Sequence, residues 1–179
     1  MLKGNKVILR ALEPTDVDAL YHLENDPAVW HLSTTLAPFS RFALEQYILN
    51  SADIYTNRQI RFMIETNDLP DKQQTIGALD LFEFEPVHMR AGIGIIVSED
   101  FRGKGYASEA LALLIKYAFD TLQLHQVFCN ISPENNDSLN LFRSKGFKMV
   151  GTKKDWNKFN NAWCDECLFQ LINNRISQE

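Results

Sequence analysis

Three groups of residues have the types and spacing to do chemistry, and the first is the run Arg102, Gly103, Lys104 and Gly105. An apolar stretch, 93–97, leads into it. Beyond it Ala107, Ala110, Leu111, Leu114, Ile115, Ala118 and Leu122 recur at the spacing of an amphipathic helix. Strand, glycine loop and helix in that order suit an anion. The first helical turn has N–H groups without intrahelical partners, its dipole adds positive potential, and glycines let phosphate oxygens approach the backbone. Taken alone, Arg-Gly-Lys-Gly also fits a plain exposed turn, and it has neither the Walker spacing nor G-x-G-x-x-G.

The second group is Asp80, Glu83, Glu85 and His88, just ahead of the apolar stretch. A carboxylate or imidazole there could bind an ammonium or take its proton. Alternation along a strand sends Asp80 and Glu83 to opposite faces, so at most one enters a cleft unless a bulge intervenes. His31 and His88 titrate in the useful range, and either could instead be structural. The third group is Cys164 and Cys167. In a strand their side chains point to opposite faces, and no second pair completes a zinc site, so they read as free thiols with no metal expected.

Arg102, Gly105 and Ala107 match the Arg/Gln-x-x-Gly-x-Gly/Ala signature of the GNAT superfamily of N-acetyltransferases. Asn135, Ser138, Phe142, Gly146 and Phe147 resemble that family's second segment, with phenylalanine where the pattern has tyrosine. The order of elements is similar to the bacterial branch containing spermidine and ribosomal-protein N-terminal acetyltransferases. The resemblance implies transfer of acetyl from acetyl-CoA to an amine-bearing small molecule or a peptide N-terminus by direct attack in a ternary complex. It implies that backbone groups of Ile95, Ile96 and Val97 hold the pantetheine arm. The N–H groups of Arg102, Gly103, Lys104, Gly105, Tyr106, Ala107 and Ser108 would hold the pyrophosphate, and Asn135, Ser138, Leu141, Phe142 and Arg143 would line the same channel. By alignment, Asp80 stands on the acceptor side, with Glu83 and His88 as further candidate bases. A homodimer or larger homo-oligomer is also implied.

Phe142 departs from the pattern, since a phenyl ring cannot protonate a departing thiolate. Another donor or water could serve, turnover could be slower, or the protein could be a non-catalytic acetyl-CoA sensor. Spermidine-type enzymes carry an acidic pair in the loop after the first helix, whereas residues 30–38 here have no acid. Polyamines, other amines and ribosomal-protein N-termini therefore all stay open as acceptors.

The elements that must position these residues can be read in order. Alternation predicts strands over 7–12, 59–66, 75–84, 91–97 and 126–132, and a hairpin pairing 148–157 with 162–172 through a turn at Asn160 and Asn161. Helices are expected from Pro14 to about Glu24, from just after Ser40 to about Tyr55, after the glycine loop, and after a cap at Asn136 or Asp137. The β-α-β crossover around the glycine loop makes one parallel pair. The expected fold is α/β of the GNAT type. It has a mainly antiparallel mixed sheet of about seven strands, splayed at its parallel pair, and about four helices, all in one domain over 1–179. The chain has 179 residues, 45% hydrophobic and 23% charged, with a net charge of −5. That balance is globular and argues against nucleic acid as a partner. No apolar run approaches membrane-spanning length, and the N-terminus has no signal pattern, so a cytoplasmic location is expected.

Overall fold

The computed structural model describes residues 1–27, 30, 37–51, 53–69, 73–159 and 161–174. Its strands form one eight-stranded sheet in the order β1-β2-β3-β4-β5-β6-β8-β7. These are β1 Leu2–Lys3, β2 Val7–Ala11, β3 Ile60–Thr66, β4 Thr75–Glu85, β5 Arg90–Val97, β6 Gln126–Ile131, β7 Lys148–Phe159 and β8 Ala162–Ile172. Among the described residues only β5 and β6 pair in parallel, over Arg90–Gln126, Ala91–Val127 and Gly92–Phe128. Beyond Gly92 the two strands part, while β5 keeps its pairing with β4 as far as Val97.

Two layers of helices cover the sheet. On one face α1 Val17–Glu24 and α2 Arg41–Asn50 bring Leu20, Leu23, Leu44 and Ile48 against Met63 and Ala78, with Ile96 packed beside them. The other face carries α4 Tyr106–Asp120 and α5 Asn136–Ser144. Leu111, Leu114 and Ala118 of α4, and Leu139 and Phe142 of α5, join Leu79, Ile93, Val127, Cys129 and Phe169 in the main core. Strand alternation makes this division. Ile93, Ile95 and Val97 of β5 face α4, while Gly92, Gly94 and Ile96 face the α1 side.

Local chemistry explains the element ends. Ser40 caps α2 by accepting the Ala43 N–H (3.1 Å), and Pro14 opens a 3-10 turn, Pro14–Asp16, that leads into α1. Gly146 takes the left-handed conformation that stops α5 (φ 88°). The N-cap of α5 is Asn135 rather than Asn136 or Asp137, since Asn135 Oδ1 accepts the Ser138 N–H at 3.1 Å. The second helix ends at Asn50, with the separate short turn α3 Ile54–Asn57 capped by Asp53. The strands exceed the expected seven by the two-residue β1. Asn161 turns the final hairpin at φ 62°; Asn160 and His31 lie outside the described residues, as do 31–36 of the acid-free segment.

Candidate active site

The site is built where β5 and β6 separate. An antiparallel ladder turns the backbone groups of successive residues to alternate sides. Its phase here is set by the Ser98 N–H donating to the Ile76 carbonyl (2.8 Å). Ile96 therefore spends its backbone groups on β4, and Ile95 and Val97 direct theirs into the gap. Of the three residues expected to grip a pantetheine arm, Ile95 and Val97 are so oriented and Ile96 is not. The Val97 carbonyl is engaged by Arg102 Nε at 2.9 Å.

Past Val97 a 3-10 turn, Glu99–Phe101, delivers the chain to Gly103 (φ 72°) and Gly105 (φ 88°), both in the left-handed region. Gly105 is the N-cap of α4 and supplies no side-chain cap, so the first-turn N–H groups at Tyr106, Ala107 and Ser108 are left for a ligand. Cations surround this loop. Lys104 Nζ donates to the Asp100 carbonyl (2.7 Å) and lies over the Phe101 ring. Lys6 Nζ donates to the Lys104 carbonyl (2.9 Å). Lys6 is about a hundred positions away in sequence, and no spacing rule could have joined it to the loop. Glu109 holds it there, its carboxylate accepting the N–H groups of Asn5, Lys6 and Val7.

Asn135 and Ser138 stand at the start of α5, at the end of β6 that diverges from β5. Because Asn135 Oδ1 is occupied by capping, its Nδ2 donors are what it can offer a ligand. Leu141 is half-buried, and Arg143 is exposed with its guanidinium 5.6 Å from the Phe169 ring centroid. Phe142 is 3% exposed and packs edge-on against Phe147, ring centroids 5.0 Å apart.

On the α1 side of the sheet, Asp80 of β4 lies directly opposite Gly94 of β5 and Arg61 of β3. Arg61 grips its carboxylate with both arms of the guanidinium, Nε to Oδ1 at 2.7 Å and Nη2 to Oδ2 at 2.8 Å. Its third nitrogen, Nη1, reaches Glu24 Oε1 on α1 at 2.5 Å. Burial pulls the Arg61 pKa down, but the Asp80 charge and hydrogen bonds, with Tyr47 and Glu24, hold it above its ordinary value. Burial pushes the Tyr47 phenol up, with the Asp80 and Glu24 charges adding to it against the pull of Arg61. The cluster of two carboxylates and one guanidinium carries a net negative charge beside the gap. Neither Arg61 nor Glu24 was among the expected site residues, because the pairing depends on β3–β4 register.

Glu83 and His88 are not gathered into this cluster. A bulge between Phe82 and Glu85 puts Glu83 outside the ladder, exposed at φ 47°. It borders a second cleft of about 390 Å³ with Gln59, Phe82 and Arg90, and Glu85 pairs with Arg58 at 3.3 Å. His88 is exposed in the turn beyond the closed end of the β5–β6 pair. Cys164 is half-buried and Cys167 buried, both as free thiols. No three of His, Cys, Asp and Glu converge among the described residues, and no helix among them is long and apolar enough to cross a membrane.

The acetyltransferase (GNAT) domain family matches residues 6–148. The spermidine N(1)-acetyltransferase of Escherichia coli K12 is 29% identical over 151 residues, which cover 84% of this chain and 77% of that protein. The ribosomal protein uS5 alanine N-acetyltransferase of the same organism is 29% identical over 103 residues, 57% of this chain and 53% of that one. In three dimensions the chain is similar to the spermidine N-acetyltransferase of Vibrio cholerae crystallised with CoA and spermine. That match has a TM-score of 0.84 at 25% identity over 94% of this chain and 96% of that one.

Proposed function

The chain belongs to the GNAT acetyltransferase family, an enzyme that transfers acetyl to an amine, and from that premise we propose that its acceptor is a cationic primary amine that attacks acetyl-CoA directly in a ternary complex. The observation that carries this reading is the splay. Strand β5 runs on to Val97 after its pairing with β6 stops at Gly92, and it feeds straight into the open N-terminus of α4. A linear amide-bearing arm ending in a diphosphate fits the Ile95 backbone groups and Val97 N–H turned into the gap, followed by the first-turn N–H groups.

In this reading Ile95 and Val97 hold the arm, residues 102–108 hold the diphosphate, and Asn135 steadies the arm from the opposite wall. Bound acetyl-CoA supplies the thioester carbonyl. Asp80, whose oxygens each accept from Arg61 and keep a further lone pair, binds the ammonium, and the proton passes to water. Phe142 contributes packing and no proton, which leaves water to protonate the thiolate.

A peptide N-terminus is the second reading, favoured by the absence of acids across residues 30–38. Calorimetry with acetyl-CoA, followed by thiol release over a panel of diamines, monoamines and short peptides, tests both. Transfer to amines above peptides is the expected result; transfer to peptides alone would replace it. Self-association is part of the proposal. The β7–β8 hairpin, whose β7 is an edge strand, exposes Val150, Trp156, Phe159 and Trp163, and a scattering mass above that of one chain is expected.

A further inference from the structure

Three glycines line the paired strands β4 and β5, and only one of them is free of a packing reason. A Cβ at Gly77 would lie 2.2 Å from the Ile96 carbonyl oxygen, and one at Gly92 would lie 2.4 Å from the Phe82 ring. At Gly94 the nearest atoms would be carbons of the same ring at 3.8 and 3.9 Å, an ordinary contact. Gly94 also lies outside the left-handed region that favours glycine. Neither packing nor conformation requires glycine there, although glycine weakens a strand. What the residue leaves is room.

The position of that room is informative. Ladder pairing with β6 ends at Gly92–Phe128, so Gly94 lies just inside the open part of the splay. It faces the α1 side, level with the Asp80 carboxylate that Arg61 holds. The Phe82 ring covers Gly92, which is buried, and stops at the edge of Gly94, which is half-buried. An arm running from the α4 N-terminus back along Val97 and Ile95 brings its far end to this point.

We propose that the space above Gly94 receives the attacking amine and its adjoining carbon, making Gly94 a specificity-determining position whose lack of a side chain sets how bulky that carbon can be. The inference rests on the acetyl-transfer reading above. There the bound ammonium first gives one proton to water, and the neutral amine nitrogen then forms its bond to the thioester carbon as the carbon–sulfur bond breaks. The second proton lost by nitrogen also goes to water, and the thiolate takes one from water.

The test compares the parent with Gly94→Ala and Gly94→Val, using acetyl-CoA and whichever panel amine the parent acetylates best, beside its α-branched analogue. Gly94→Ala should keep its Tm and its acetyl-CoA affinity while kcat/KM for the amine falls about 10- to 100-fold, since a misplacement of about 1 Å can cost about 100-fold. Gly94→Val should lose more, and the branched amine should suffer more than the straight one. Unchanged amine kinetics in Gly94→Ala would overturn the inference, as would a matching loss of acetyl-CoA affinity, which would give the space to the cofactor arm. A lowered Tm in Gly94→Ala would overturn it too, by showing that packing demands the glycine. A parent that acetylates nothing on the panel would instead remove the functional reading, and this inference with it.

Discussion

Phe142 and Asp80 are the two residues whose chemical roles depend most on where their neighbours stand. The Phe142 ring is buried against Phe147, so a hydroxyl added by Phe142→Tyr enters the core before it meets any ligand. Without a partner it should cost about 1 to 3 kcal/mol, which lowers Tm by roughly 2 to 12 °C in a chain of this length. Thermal unfolding checks the cost. Thiol release below the transition should be close to the parent's, and a faster variant would show that the hydroxyl does reach the departing thiolate. Asp80→Asn preserves shape but leaves Arg61 with the Glu24 carboxylate alone among the described residues. Its amine KM should rise about 10- to 100-fold, the equivalent of one charge-assisted hydrogen bond, with acetyl-CoA affinity unchanged in calorimetry. An unchanged amine KM would take Asp80 out of acceptor binding.

The element scale shows what could be read in advance and why the rest could not. Alternation and caps are local, so β2 to β8 and the helices α1, α4 and α5 lie within a few residues of their expected limits. Register is not local. That Arg61 faces Asp80, and that Glu24 on α1 reaches the same guanidinium, follows from strand pairing that no single-strand pattern records. The bulge that expels Glu83 is also a pairing event. Lys6 reaches the glycine loop only because Glu109 fastens the start of β2 to α4. The strand, glycine loop and helix were legible because they lie in consecutive residues, and a prediction belongs to the loop. Gly105 at φ 88° strains any side chain, so Gly105→Asp alone would mix strain with charge. Gly105→Asn has nearly the same shape and tolerates the left-handed region better than most residues. Calorimetry should find acetyl-CoA binding at least about 10-fold weaker in the aspartate variant than in the asparagine one, a difference that isolates repulsion of the diphosphate. Equal affinities would move the diphosphate away from this helix end.

At the scale of the whole molecule, the splay shortens the ladder between two parts of the sheet. Strands β1 to β5 and β6 to β8 share one core with α4 and α5, but the ladder between them has three register pairs. A ligand lying in the gap supplies the ladder partners that β6 does not give to Ile95 and Val97, so it should tie the two parts together as well as bind. A ligand that binds only the folded state at 100 times its Kd adds about 2.7 kcal/mol of stability. For a chain of this length that corresponds to a rise of roughly 5 to 11 °C in Tm. Saturating acetyl-CoA should produce such a rise, and hydrogen exchange should slow at the Ile95 and Val97 amides while Ile96, already turned toward β4, changes less. Adenosine diphosphate has the diphosphate without the pantetheine arm, so it should protect the first turn of α4 but not β5. Protection of β5 by the diphosphate alone, or none there with full-length acetyl-CoA, would mean that the splay is not the groove that takes the arm.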